Sequence, residues 1–303
     1  MESEVILSIH TATYNRGYII EKAYNSLKKQ TCYNFEWVVT DDGSDDNTEK
    51  LFENWCQNEK EFPIYYNNIG RSGIPKALNY GVNHVHGKYF FMLDSDDTLE
   101  PNAVEKILEW IKEIDEVEEI AAVGFAIGNP DREYLKGSAP YIDEKLGYID
   151  CSNLERPLYN MNVDMREVYK VDIMKKYPFK VWEGEIYAPE QICFNEIALA
   201  GYKIRWRRDI LYIADYLDDG QTKGGQRLMK HNPMGYAMMY DHMLKYGYGV
   251  KRDLYNAIQM NAMAVFGRNP GYFLQCNNKK LGFISWPLGI LVAMRRYMQL
   301  KDI

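Results

Sequence analysis

The sequence predicts an α/β protein whose mostly parallel sheet is flanked by helices and followed by a helical C-terminal extension. Two observations support this prediction: short apolar runs alternate with amphipathic stretches over residues 1–127, and a polar cluster follows several of the apolar runs. Strand–helix alternation at this spacing requires crossover connections, which make neighbouring strands parallel. Strands are predicted at residues 5–10, 36–40, 64–66, 89–93 and 120–126, and helices at residues 19–29, 47–56, 75–84 and 103–114.

The chain beyond residue 127 has a weaker pattern. Residues 128–165 are rich in Gly, Pro, Asp and Tyr, which predicts a long binding loop or lid. A helix is predicted at residues 189–200, a strand or hairpin at 202–213, and helices after residue 228. We therefore expect a main domain at residues 1–227 and a helical extension at residues 228–303.

The distribution of charged residues and cysteines indicates which partners and which cellular compartment to expect. The 303-residue chain has a net charge of −7, yet residues 228–303 hold ten basic and three acidic residues. An acidic body with a basic tail argues against nucleic acid as the main partner and suggests that the tail faces something anionic. Five scattered cysteines without a CxxC pair, no secretory signal and no 18-residue apolar run together predict a cytoplasmic protein.

Two acidic clusters follow predicted strands. Asp94, Asp96 and Asp97 would repel one another unless a divalent cation such as Mg²⁺ or Mn²⁺ joined them, although a solvated turn that caps the next helix gives the same pattern. Asp41 and Asp42 precede Gly43, which permits a sharp turn. One of the two carboxylates could accept a hydrogen bond from the N3–H of uracil, or the segment could simply form an Asx turn. The carboxyl ends of parallel strands share one edge, so we expect both clusters at one site.

Residues 70–79 form a turn that could reach a diphosphate through Arg71 and Lys76. The first strand is not followed by GxGxxG, which argues against NAD binding, and GxxxxGK[ST] is absent from the chain, which excludes a P-loop NTPase.

Four segments in this order resemble inverting family 2 glycosyltransferases with a GT-A type, Rossmann-like fold. They are Thr13–Arg16 (TYNR), Val39–Asp45 (VTDDGSD), Lys76–Gly81 (KALNYG) and Gly87–Asp97 (GKYFFMLDSDD). The resemblance implies a metal-dependent enzyme that uses a UDP-sugar, with Asp42 at uracil, Asp96 as main metal ligand and Asp97 supporting it. The residues that it implies for the nucleotide sugar are Thr11, Thr13, Tyr14, Arg16, Asp41, Asp42, Arg71, Lys76, Asn79, Asp94 and Ser95.

The resemblance weakens in the second half. Its Glu-Asp pair corresponds to Glu190-Gln191, which makes Glu190 the implied catalytic base, with Glu183 and Glu185 as rivals. Trp182, Glu185 and Tyr187 would bind the saccharide acceptor. Asp219, in the segment Asp215–Gly220, would approach the metal.

Capsule and cell-wall polysaccharide enzymes resemble the chain in these two segments, so the acceptor could be lipid-linked. Residues 281–294 are apolar, interrupted by Pro287, and flanked by basic pairs, which predicts a helix lying on the anionic inner face of the plasma membrane. A buried helix or a homodimer contact gives the same pattern. The rival functions are a sugar nucleotidyltransferase and a catalytically silent sugar-binding module.

Overall fold

The computed structural model describes residues 6–215 and 225–300, and the chain divides into two compact units. The first unit comprises residues 1–178 and 194–215, and the second comprises residues 179–193 and 216–303. Asp219 lies outside the described residues. Residues 179–193 thus join the C-terminal unit, and the boundary expected after residue 227 stays a prediction.

The first unit is built on one sheet, which in the described residues has nine strands. The strands are β1 (Leu7–Thr13), β2 (Phe35–Asp41), β3 (Ile64–Asn68), β4 (Tyr89–Met92), β5 (Thr98–Leu99), β6 (Ile120–Gly128), β7 (Ile149–Cys151), β8 (Met165–Lys170) and β9 (Lys203–Ile213). Their order is β3-β2-β1-β4-β8-β6-β9-β5, with β7 also paired to β9. Strands β3, β2, β1 and β4 run parallel, as do β6 and β9, whereas β8 is antiparallel to β4 and β6.

The helices confirm the predicted alternation and the helical C-terminal region. They are α1 (Glu21–Lys28), α2 (Thr48–Asn58), α3 (Ile74–His84), α4 (Ala103–Ile114), α5 (Val171–Lys176), α6 (Gln191–Leu199), α7 (Gly225–His231), α8 (Pro233–Met243), α9 (Val250–Phe266) and α10 (Lys279–Leu300). All residues of β2 and β6 are buried, because helices or other elements cover both faces of a parallel sheet. The sequence of β6 accordingly reads as a continuous apolar run, whereas β2 also buries Glu36, Thr40 and Asp41.

The main core lies on one face of the sheet. Ile9, Trp37 and Phe91 project from three neighbouring strands into a buried cluster with Phe52 of α2 and Ile107 of α4. Burial of side chains of this size contributes roughly 1.5–3 kcal/mol each, which holds the strand ends in fixed relative positions.

On the other face, α3 approaches β1 through a glycine. A Cβ built on Gly81 would lie 2.2 Å from Nε2 of His10, so a larger residue there would displace the buried imidazole. Nε2 lies 2.9 Å from the Thr40 hydroxyl, which ties β1 to β2 one residue before Asp41.

The loop predicted at residues 128–165 is wrong in part. This stretch contains β7 and a 3₁₀ turn at Arg156–Tyr159, and it ends where β8 begins. The sequence did not predict β8, because three of its six residues, Arg166, Glu167 and Lys170, are charged although the strand lies at the centre of the sheet. The strand or hairpin expected at residues 202–213 is the single strand β9.

The second unit is helical in the part that the structure describes. Its core is formed by buried side chains of α8 and α9 and of the segment before α10, namely Met234, Ala237, Met260, Met263, Ala264, Tyr272 and Cys276. No helix of the described residues is both long enough and apolar enough to cross a membrane.

Candidate functional site

Asp42, at the carboxyl end of β2, is fixed by the loop that precedes α3. Its Oδ1 accepts hydrogen bonds from the backbone N–H groups of Ser72 (2.6 Å) and Gly73 (2.7 Å) and from the Ser72 hydroxyl (3.0 Å). Its Oδ2 forms an ion pair with Arg71. The side chain is 2% exposed. Four donors therefore hold this buried carboxyl group in one orientation.

Gly43 explains why this loop can come so close. Gly43 has a φ of +83°, and a Cβ at this position would lie 2.6 Å from the backbone nitrogen of Arg71. The guanidinium carbon of Arg71 in turn lies 4.0 Å from the ring centroid of Tyr14, which follows β1. The structure thus brings together the predicted residues Tyr14, Asp42 and Arg71.

Two other predicted residues make contacts within the framework of the sheet. Asp41 accepts hydrogen bonds from the backbone N–H (2.8 Å) and hydroxyl (2.7 Å) of Ser44 and from the hydroxyl of Tyr66 (2.5 Å). The Thr11 hydroxyl donates to the carbonyl oxygen of Leu93 (2.8 Å) and accepts from the indole N–H of Trp37 (2.9 Å). These bonds organise the ends of β1, β2 and β4, and the roles of Asp41 and Thr11 in nucleotide binding stay predictions.

Thr13 differs from Thr11. It pairs with Asp41 in the β1–β2 register, is buried, and its hydroxyl has no hydrogen-bond partner in the described part of the chain. A buried hydroxyl without a partner costs about 1–3 kcal/mol. A polar ligand group at this edge of the sheet would remove that cost, which fits the predicted role of Thr13.

Asp94–Asp97 follows β4, and two residues from distant strands organise this turn. The buried phenol of Tyr212, on β9, donates a hydrogen bond to Oδ2 of Asp97 (2.7 Å) and accepts one from the backbone N–H of Asp94 (3.0 Å). Arg166, on β8, forms an ion pair with Asp94 and donates to the same phenol oxygen (3.0 Å). The turn is thus tied to both strands.

The carboxyl group of Asp97 lies in an unusual electrostatic environment. Burial, and then the charge of Asp94, raise the pKa of Asp97 to about 7, against the opposing effects of Tyr212 and Arg166. No group of three His, Cys, Asp or Glu side chains within residues 6–215 and 225–300 is arranged to hold a metal ion. Mg²⁺ and related ions are commonly held by one or two carboxylates, with phosphate and water completing the shell. The roles of Asp96 and Asp97 as metal ligands stay predictions.

The remaining predicted donor-site residues all lie in the first unit. Lys76 is exposed in the first turn of α3, Asn79 is half-buried in the same helix, and Ser95 is buried in the turn after β4. The Arg16 guanidinium donates to the hydroxyl of Tyr18 (2.5 Å). None of these contacts assigns a ligand, and the roles of these residues stay predictions.

The predicted base and acceptor residues belong to the second unit. Glu185 accepts hydrogen bonds from the backbone N–H groups of Met234 and Gly235, both at 2.7 Å, and so caps the N-terminus of α8. Burial raises its pKa, although these two bonds oppose the shift. Glu183 is exposed, whereas Glu190 is half-buried.

The two aromatic residues predicted for the acceptor have packing partners in the same unit. Trp182 packs edge-to-face on Tyr272 with ring centroids 5.8 Å apart, and Tyr187 lies 6.0 Å from Tyr236. Their role in acceptor binding stays a prediction.

Sequence reasoning missed Arg166 and Tyr212. Tyr212 reads as an ordinary residue of an apolar strand, and Arg166 as a surface charge. The residues Met165–Lys170 (MREVYK) neither alternate apolar with polar residues nor form an apolar run, so the sequence carried no strand signal around Arg166.

The fold and this edge define an α/β protein with a Rossmann-like sheet whose carboxyl end carries two acidic turns. The model of the family described as glycosyl transferase family 2 matches residues 8–177, which is more than half of the chain. The chain therefore belongs to glycosyl transferase family 2, a family of transferase enzymes.

Individual proteins agree with this assignment. An uncharacterized glycosyltransferase of Haemophilus influenzae is 32% identical over 117 residues, which cover 39% of this chain and 36% of that relative. The structure of S. aureus TarS 1-349 in complex with UDP-GlcNAc superposes with a TM-score of 0.61 at 15% identity, covering 98% of this chain and 90% of that one.

The mannosyltransferase PcManGT from Pyrobaculum calidifontis, in complex with GDP-Man and Mn²⁺, gives a TM-score of 0.55 at 14% identity, covering 96% of this chain and 86% of that one. At these identities the two structures establish a shared fold.

Proposed function

We propose that the chain transfers a sugar from a UDP-sugar to a hydroxyl group of a saccharide acceptor, with inversion at the anomeric carbon. The proposal depends most on one observation: Tyr14, Asp42 and Arg71 meet at the sheet edge that also carries the acidic turn Asp94–Asp97. Tyr14 would stack on uracil, and a carboxylate oxygen of Asp42 would accept its N3–H. A structural neighbour, TarS, was solved with UDP-GlcNAc, which favours UDP as the nucleotide.

Each step of the transfer has a candidate residue. Glu190 would accept the proton of the acceptor hydroxyl, whose oxygen forms a bond to the anomeric carbon as the bond to the UDP phosphate oxygen breaks. Arg71 and Lys76 would meet the negative charge that develops on UDP. A divalent cation held by Asp96 and Asp97, and by Asp219 if it reaches the site, would add Lewis-acid stabilisation of that leaving group.

The first experiment is a nucleotide-release assay with purified protein, Mn²⁺, and UDP-sugars beside GDP-mannose as the control donor. We expect UDP release from one UDP-sugar, and a loss of at least about a thousandfold in Asp96→Ala or with EDTA, because the leaving-group charge is then uncompensated. Release of pyrophosphate instead would identify a sugar nucleotidyltransferase. Donor binding without turnover, with every acceptor supplied, would favour the silent binding module.

The base is tested with a matched pair of variants. Glu190→Gln should lower kcat about a hundredfold or more and leave the KM for donor near its original value, since only proton transfer is lost. Glu183→Gln is the control. Glu183 is exposed and lies seven residues earlier, so we expect this substitution to leave kcat unchanged. A larger loss in Glu183→Gln than in Glu190→Gln would reassign the base.

The acceptor class is a saccharide, either free or linked to a lipid, and the reaction would take place in the cytoplasm. The five cysteines are free thiols, which suits a reducing compartment.

A further inference from the structure

The outer face of α10 is formed by large apolar side chains. Six of them are between 49% and 69% exposed: Phe283, Ile284, Leu288, Leu291, Met294 and Met298. Soluble proteins seldom leave so many neighbouring large apolar side chains in water, and such a surface usually marks an interaction site. We refer to these six residues as the apolar face of α10.

The packing of α10 explains why its large side chains point outward. Gly282, Ser285, Gly289 and Ala293 recur at helical spacing and are buried. A Cβ on Gly289 would lie 2.4 Å from Cβ of Asn261 in α9, and Asn261 donates hydrogen bonds to the carbonyl oxygen of Gly282 (2.8 Å) and the hydroxyl of Ser285 (2.9 Å). Small residues thus set a close α9–α10 contact, which directs the larger ones away from the unit.

Positive charge accompanies the apolar face. Lys279, Lys280 and Arg295 are exposed near the two ends of the helix, and residues 279–300 contain no Asp or Glu. Arg296, by contrast, is half-buried and donates to Oε1 of Gln259 (2.6 Å) in α9. The exposed surface of α10 is therefore apolar along its length and cationic at both ends.

We propose that α10 docks on an anionic phospholipid surface, lying in the plane of the membrane interface with its apolar face among the acyl chains and its cations at lipid phosphates. A helix of 22 residues is about 33 Å long, so the cations near its ends can reach separate lipid headgroups. This inference is independent of the proposed transfer reaction, since no residue of α10 takes part in it.

Charge favours lipid over a second copy of the chain as the occupant. Two copies paired antiparallel through α10 would bring Lys279 and Lys280 of one copy near Arg295 of the other. A parallel pair would bring each of these cations near the same residue of the second copy. No carboxylate of the helix would offset this repulsion. An anionic bilayer supplies the missing negative charge.

The test is flotation of the full chain with vesicles of phosphatidylcholine alone or mixed with phosphatidylglycerol, at low and high salt. We expect flotation only with the anionic vesicles and loss of binding at high salt. Leu291→Asp should weaken binding about tenfold, and Lys280→Gln about fivefold, because one apolar contact or one cation is lost. Leu158→Asp is the matched control: Leu158 is 74% exposed in the first unit and should not affect binding.

Three results would overturn the proposal. These are absence of flotation by the wild-type chain, equal binding to neutral and anionic vesicles, and equal effects of Leu291→Asp and Leu158→Asp. Sedimentation velocity without vesicles tests the other occupant: a dimer that dissociates in Leu291→Asp would assign the face to a second copy instead. Circular dichroism of each variant should match the wild type, since both leucines are exposed.

Discussion

The two acidic turns at the sheet edge differ in how their charge is balanced. In the turn after β2, Asp41 and Asp42 are buried, yet hydroxyl and N–H donors and the Arg71 guanidinium surround their carboxylates. In the turn after β4, Arg166 pairs with Asp94 and Tyr212 donates to Asp97, yet burial and the charge of Asp94 still raise the pKa of Asp97 to about 7. The first turn thus has donors for both of its carboxyl groups, whereas the second keeps a buried carboxyl group whose pKa is raised.

Under the proposed function, this difference would separate nucleotide binding from catalysis. A site that must recognise a neutral base needs a fixed geometry, which the β2 turn obtains from its own chain. A site that must stabilise a departing diphosphate needs positive charge, which a cation can bring together with the substrate. We therefore expect the largest loss of stability for Asp42, and for the second turn a smaller loss of stability together with a loss of turnover.

The largest effect on stability is expected for Asp42→Asn. The amide oxygen can still accept from Ser72 and Gly73, but the amide nitrogen then faces Arg71, donor against donor, in a buried place. We expect the free energy of unfolding to fall by about 3 kcal/mol in urea titrations. Asp45→Asn, an exposed aspartate in the same turn, should cost under about 1 kcal/mol. Equal losses in the two variants would mean that the Asp42 carboxylate is not a structural element.

Tyr212→Phe tests the second turn. The substitution removes the hydroxyl that binds Asp97 and the Asp94 N–H, so we expect a loss of about 2 kcal/mol in unfolding free energy. Because Asp97 is then less well positioned, the Mn²⁺ concentration for half-maximal transfer should also rise, and kcat/KM should fall about tenfold.

Tyr134→Phe is the matched control for this variant. Its hydroxyl donates to the carbonyl oxygen of Arg208 (3.2 Å), away from either turn. A Tyr212→Phe enzyme with unchanged Mn²⁺ dependence would show that the turn is organised without the phenol.

The sequence predicted the parallel part of the sheet because short, largely apolar segments alternate with amphipathic helices over residues 1–127. It also predicted that Asp42 and the Asp94–Asp97 turn meet at one edge, since parallel strands end together. It could not predict Arg166 and Tyr212, whose contacts with Asp94 join positions 72 and 118 residues apart. Nor could it reveal that Glu185 caps α8, because that role depends on a helix 49 residues later in the chain.

The smallest expected effect on stability concerns β1, the strand that lies between β2 and β4 and so between the two turns. His10 pairs with Val38 of β2 and Met92 of β4, and burial lowers the pKa of its imidazole to about 3. The folded state therefore excludes the proton that the unfolded chain binds below about pH 6.5, and stability is lost as the pH falls from there towards 3, by up to about 1.4 kcal/mol per pH unit.

His10→Gln removes this titration, although its stability at neutral pH should be lower because the imidazole packs against Gly81. Urea unfolding of both proteins at pH 7 and pH 5.5 gives the loss of unfolding free energy over this interval for each protein. The difference between the two losses is the contribution of the His10 titration. Wild type should lose about 1 kcal/mol more than the variant over this interval, since only its residue 10 can take up a proton. Parallel losses in both proteins would mean that the imidazole is protonated within the fold, and that the strand between the two turns tolerates charge.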